Sequence, residues 1–135
     1  MAFATAYYKR TQTVDGTNDT EIASATDQYD IDEWTLSIKN GHASVAFDAC
    51  KLDFKVHPNS GWVNMESTGW ATADNIVVSV GNPQTLAGGA EALVRFKLGG
   101  IYAWRLLANG NASATGPVEV WGIGTGETKG NPIPT

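Results

Sequence analysis

The sequence predicts an all-β fold, an antiparallel β-sandwich or jelly-roll-like barrel of about eight short strands, and three observations lead there. Apolar residues alternate with polar ones over short runs, with no long helical period. Turn-forming groups such as Asn40-Gly41, His57-Pro58-Asn59-Ser60-Gly61 and Gly81-Asn82-Pro83 interrupt those runs. With 15 glycines and a charged fraction of 17%, the composition suits a turn-rich sheet protein, and 42% hydrophobic residues over 135 positions suffice for one core.

The most regular run is EWTLSIKNGHASVAF, residues 33–47. Trp34, Leu36 and Ile38 alternate with Glu33, Thr35, Ser37 and Lys39, and Asn40-Gly41 is the pair best suited to the positive φ angles of a two-residue type I′ loop. Such a hairpin sets Ile38 opposite Ala43, Leu36 opposite Val45 and Trp34 opposite Phe47. All six then share one face, with Trp34 and Phe47 a cross-strand core pair. Beyond Ala49 the apolar parity shifts to Leu52, Phe54 and Val56, which predicts a β-bulge or bend near Ala49-Cys50.

After the turn at residues 57–61, the segment 69–83 reads as one or two strands, with β-branched Ile76, Val77, Val78 and Val80 suited to a sheet. Gly88-Gly89 opens the arm EALVRFKL, and Gly99-Gly100 is expected to turn it into IYAWRLL. That hairpin pairs Lys97 with Tyr102, Arg95 with Trp104 and Leu93 with Leu106 on one face, leaving Val94, Phe96, Leu98, Ile101 and Ala103 for the core. VEVWGIG, residues 118–124, adds a late strand. The whole is read as a single β domain over 1–135, with an irregular segment at 11–33 and a flexible C-terminal tail at 125–135.

The exit of the late strand, GIGTGETKG, nearly spells a phosphate loop, but its order is inverted. Glu127 stands where phosphates would sit, Lys129 follows Thr128, and Pro132 and Pro134 preclude the helix whose amides such a loop needs. No nucleotide or other cofactor is expected. The net charge of -5 argues against nonspecific nucleic-acid binding. No stretch approaches transmembrane length, so no membrane partner is expected. MAFATAYYKR lacks the basic and apolar regions of a signal peptide, and the lone Cys50 cannot form an internal disulfide.

No nucleophile, base and orienting group can be named together, so the chain reads as non-catalytic. His42 and His57 each sit in a turn without metal-ligand partners, and an Asp48–Asp53 carboxylate pair is a chance product of sheet alternation. Seven acids lie between Arg10 and Lys39, namely Asp15, Asp19, Glu21, Asp27, Asp30, Asp32 and Glu33. They match no dedicated calcium loop and read as a solvated acidic segment, so no metal is assigned. The basic and aromatic set Arg95, Lys97, Tyr102 and Trp104 is the expected partner-binding face, with the acidic segment of another copy or an acidic partner opposite it.

Low in cysteine, rich in small residues and built of many short strands, the chain resembles the small β-sandwich virion proteins of tailed bacteriophages, either capsid decoration or tail components. The resemblance is one of style over the whole chain and transfers no individual residue's role. It implies a structural or assembly function: binding to copies of itself, as a homo-oligomer, and to virion proteins, with synthesis in the host cytoplasm and residence in the virion. The competing expectation is a carbohydrate-binding or host-receptor-binding module that stacks a glycan on exposed Trp and Tyr.

Overall fold

A computed structural model of the chain describes residues 3–14, 19–42, 45–66, 69–70, 72–98, 101–110 and 117–127. Among these, nine strands form: β1 (Phe3–Thr13), β2 (Thr20–Ala25), β3 (Glu33–Asn40), β4 (Ala49–Lys55), β5 (Val63–Asn64), β6 (Ile76–Val80), β7 (Glu91–Lys97), β8 (Ala103–Asn109) and β9 (Pro117–Glu127). They make two antiparallel sheets, one of five strands in the order β1-β9-β3-β7-β6 and one of four in the order β2-β8-β4-β5. The sheets stack as a sandwich and do not close into a barrel.

Alternation assigns the core. Trp34, Leu36 and Ile38 of β3, Ala92, Val94 and Phe96 of β7, and Val118 and Val120 of β9 point inward from the larger sheet. Cys50, Leu52 and Phe54 of β4, together with Trp104, Leu106 and Ala108 of β8, meet them from the smaller one. At the centre the Trp104 ring lies 5.4 Å from Trp34, 5.3 Å from Phe96 and 5.8 Å from Tyr8 in tilted or edge-on contacts, the geometry that aromatic quadrupoles favour. The Trp34 indole N–H donates to Gln28 Oε1 at 2.6 Å, whereas Trp104 Nε1 has no hydrogen-bond partner among the described residues.

Ala43 and the Gly99-Gly100 turn lie outside the described residues, and neither expected hairpin pairs its described strands, for one reason. Both edges of β3 are occupied by β7 and β9, and both edges of β7 by β3 and β6, so each chain segment must leave its sheet. At the end of β3, Asn40 is buried and steers that exit. Its Nδ2 donates to Val45 O at 2.8 Å and Leu86 O at 3.0 Å, and its Oδ1 accepts from His42 N–H at 3.1 Å. Neither Asn40 nor Gly41 has a positive φ. Gly41 is required by close approach instead, since its N–H donates to Pro117 O at 2.8 Å and a Cβ there would strike that same oxygen.

The expected bulge at Ala49-Cys50 is the start of β4. Phe47 reaches the core from the segment before it, where its N–H donates to Leu86 O at 2.9 Å. Register shifts fall at Glu21/Ala23 and Val78/Val80. Residues 11–33, expected to be irregular, carry the end of β1, all of β2 and a 3-10 turn at Gln28–Asp30, because β8 offers β2 an edge that no local pattern reveals. The expected tail begins too early as well. β9 continues to Glu127, and residues 128–135 lie outside the described residues.

The glycines of β9 have a packing role. Gly122, Gly124 and Gly126 are its inward positions, and a Cβ on Gly124 would sit 2.7 Å from Trp34 Cε2. One on Gly122 would meet Leu36 Cδ2, and one on Gly126 the backbone of Asp30. The side chains of β3 and the 3-10 turn fold over a strip of bare backbone.

Candidate functional site

Among the described residues, six of the eight exposed large hydrophobic side chains lie on outward positions of the five-stranded sheet. Alternation in β1 turns Tyr7 and Lys9 outward, and in β9, where Val118, Val120 and the glycines take the inward places, Trp121 and Ile123. Register then aligns them in rows across the sheet. One row runs Tyr7, Ile123, Thr35, Arg95, Val77, and the next runs Lys9, Trp121, Ser37, Leu93, Val80. Tyr7 is 82% and Trp121 48% exposed, and Ile123, Leu93, Val77 and Val80 are exposed beside them.

Between Tyr7, Trp121, Ile123 and Leu93 lies a shallow, mostly apolar depression of about 520 Å³. Lys9 Nζ sits 4.5 Å from the Trp121 ring centroid, a cation–π contact. Charges rim the apolar band at both ends. Glu33 and Lys97 are paired neighbours at one end, with Arg95 Nε 3.8 Å from Glu33 Oε1, and Lys39 and Glu91 are paired neighbours at the other.

Of the residues expected to form a partner-binding face, Arg95 and Lys97 lie on this surface and Tyr102 and Trp104 do not. Trp104 is 0% exposed in the core, and half-buried Tyr102 precedes β8 with its ring 5.9 Å from Tyr29. The four never share a face, because β7 and β8 belong to different sheets. The exposed rings on this surface are Tyr7 and Trp121, which lie beside Lys9 on β1 and β9, with β3 between them and Arg95 and Lys97 of β7. The signal was present in β9 as strict alternation, for once the glycines are counted as inward positions Trp121 must point out.

Asp15 lies outside the described residues, and from Asp19 on the acidic segment is not a continuous docking strip either. Glu21 Oε2 lies 3.2 Å from Arg10 Nη1, and Asp19 Oδ2 lies 3.0 Å from Lys51 Nζ, where the hydrogen bond and the carboxylate charge raise the Lys51 pKa. Among the described residues no group of three His, Cys, Asp or Glu is placed to hold a metal ion. His42 Nδ1 accepts from Val45 N–H and His57 Nδ1 from Asn59 N–H, so both imidazoles act in turns.

On the opposite sheet a polar depression of about 790 Å³ has its charges largely paired within the chain. Asp53 accepts from Arg105 Nε at 3.1 Å and from Asn64 Nδ2 at 3.2 Å, so it is not a free partner for Asp48. The Arg105 guanidinium in turn lies 4.3 Å from the Trp62 ring centroid. Glu66 Oε1 accepts from Leu52 N–H and Asn64 Nδ2. Beneath this face Cys50 is buried, which pushes its thiol pKa well up, and the charges of Glu66 and Asp19 push the same way.

No helix among the described residues is long and apolar enough to cross a membrane. The sequence matches no protein-family model and no curated protein. Solved structures do share its fold. The SPBc2 prophage-derived protein YomS superposes with a TM-score of 0.58 at 13% identity, covering 93% of this chain and 96% of that one. A chain from the structure of Bacillus endospore appendages, a family of disulfide-linked pili, gives 0.51 at 13% identity over 94% and 89%. PirA gives 0.53 at 14% identity over 84% and 92%. At these identities the similarity is one of fold.

Proposed function

We propose that the chain is a non-catalytic structural protein of a virion or a related external assembly, held in place by protein–protein contacts through the outer face of its five-stranded sheet. The observation that carries this reading is the aromatic and aliphatic band of Tyr7, Trp121, Ile123, Leu93, Val77 and Val80, left exposed on the outer face of the sheet and rimmed by charge. An apolar patch with an anchoring Trp and Tyr and a polar rim has the composition of a protein interface. Fold-mates from a prophage and from endospore pili support the same class of role.

The pili are described as disulfide-linked. This chain has one Cys, and Cys50 is buried with a thiol that burial keeps protonated. Its assembly contacts therefore do not use a disulfide from this cysteine. The test is co-purification of the chain with assembled particles from the parent source, compared with Trp121→Ser. Retention of the wild-type chain and loss of the variant are the expected outcome. Binding on a glycan array that the same substitution abolishes would instead make the face a sugar-stacking platform.

A further inference from the structure

Four charges at the ends of β3 and β7 are arranged as their own complement. Glu33 and Lys39 stand at opposite ends of the outer face of β3, six residues and therefore about 20 Å apart. On β7, Glu91 and Lys97 have the same spacing, and the register places Lys97 beside Glu33 and Glu91 beside Lys39. The midpoints of both intervals, Leu36 and Val94, are register partners, and Gly122 of β9 and Tyr8 of β1 continue that row. Across this row Glu33 falls opposite Lys39 and Glu91 opposite Lys97, while Arg95 falls opposite Leu93 and Glu119 opposite Thr125.

From this pattern we infer that the partner on this face is a second copy of the chain, packed face to face with its strands antiparallel about a two-fold axis along the Tyr8–Gly122–Leu36–Val94 row. The inference rests on the assembly reading above and names its partner. In that arrangement Glu33 faces Lys39 of the second copy, and Glu91 faces its Lys97. Each end of the interface becomes a quartet of alternating sign. Tyr7 faces Lys9 of the second copy, Trp121 faces its Ile123 and Val77 its Val80, so cation–π and apolar contacts fill the centre. A two-fold axis along β3 itself would instead set Glu33 on Glu33 and Lys39 on Lys39, and like charges directly opposed select against it; an axis parallel to the strands between β3 and β7 keeps opposite charges opposed but leaves β1, with Tyr7, without a facing strand. Aligned sheets cross at about 30°, an offset that long Glu and Lys side chains span.

The area sets the strength. Five strands about 4.8 Å apart and about 20 Å of outward strand give roughly 500 Å² per copy, or about 1,000 Å² in total, at the lower edge of specific interfaces. A weak, concentration-dependent and salt-sensitive dimer follows, of the kind that a lattice of repeated copies or a particle surface would reinforce.

Sedimentation equilibrium on the full chain, at roughly 1 to 300 μM, a range spanning the affinities such interfaces show, tests the pairing with Glu91→Lys and Lys97→Glu. Both positions are exposed, and urea midpoints confirm that each variant folds. Each variant alone opposes like charges across the axis and should weaken dimerisation at least about tenfold. An equimolar mixture restores Glu–Lys opposition at both ends and should recover the wild-type constant to within about threefold. A wild-type chain monomeric throughout, single variants that dimerise like wild type, or a mixture no stronger than its components would each overturn the pairing. Dimerisation indifferent to all these charges would place the contact at a sheet edge instead. Particle co-purification distinguishes the two proposals, since a monomeric chain that still travels with particles loses the two-fold pairing and keeps the assembly role.

Discussion

Replacing Gly124 with Ala tests whether the alternating glycines of β9 exist to receive Trp34. The added Cβ would stand 2.7 Å from Trp34 Cε2, 2.8 Å from Cζ2 and 2.9 Å from Cδ2. Carbon atoms prefer about 3.5–4.0 Å, so the ring must retreat by roughly 0.7 Å or more. It has little room to do so. Its N–H is held by Gln28 at 2.6 Å, and Tyr8 and Trp104 pack against it with ring centroids 6.2 and 5.4 Å away. Overpacking of this kind costs about 1–3 kcal/mol, and reduced unfolded-state entropy returns up to about 1 kcal/mol, for a net loss of about 1–2 kcal/mol. In urea, with a slope of roughly 1.5 kcal/mol per M, the midpoint should fall by about 1 M. Gly61→Ala is the control, because its φ is ordinary and its Cβ would meet no heavy atom within 4 Å. A Gly124→Ala midpoint equal to or above that of Gly61→Ala would refute the account of these glycines.

The two central tryptophans should respond differently to trimming. Trp104→Phe removes an N–H that has no hydrogen-bond partner among the described residues, whereas Trp34→Phe strands the Gln28 carbonyl, so urea unfolding should show Trp104→Phe less costly by about 1 kcal/mol. Arg105→Met leaves the Asp53 carboxylate, whose side chain is only 10% exposed, without its cation; a loss of about 1–3 kcal/mol is expected, with a shift in Trp62 emission as its stacking partner goes. Cys50 supplies a pH dependence. Its folded-state pKa lies above the ordinary value of 9.0, so the folded state holds the proton more tightly, and the stabilisation present below pH 9 declines as pH rises through and above it. Wild type should lose stability relative to Cys50→Ala by up to about 1.4 kcal/mol per pH unit between pH 9 and 11, and parallel urea midpoints for the two chains would contradict this.

Much of the candidate face was legible residue by residue and illegible as a surface. Alternation identified Arg95 and Lys97 as outward on their strand, and both are. It applied equally to Lys9 and Trp121, yet nothing local shows that β1 and β9, paired from Phe3↔Glu127 to Thr13↔Pro117, bring those two side by side from opposite ends of the chain. Loop closure costs grow only slowly with length, so sequence distance is a weak guide to which strands meet.

What the sequence determined by itself is the set of properties that depend on neighbours along the chain. These are the β class, the inward positions Trp34, Leu36, Ile38, Val94 and Phe96, and the broken phosphate-loop pattern after Gly126. Turn chemistry at Asn40-Gly41 was equally local, but hydrogen bonds to Val45, Leu86 and Pro117 captured it for a crossing between sheets. Tertiary structure alone decided which sheet each strand joined, and with that the complete burial of Trp104. A period of two says which residues share a face. It carries no information on whether a strand has two free edges, or on what lies across from its outer face, since both are set by segments distant in the chain.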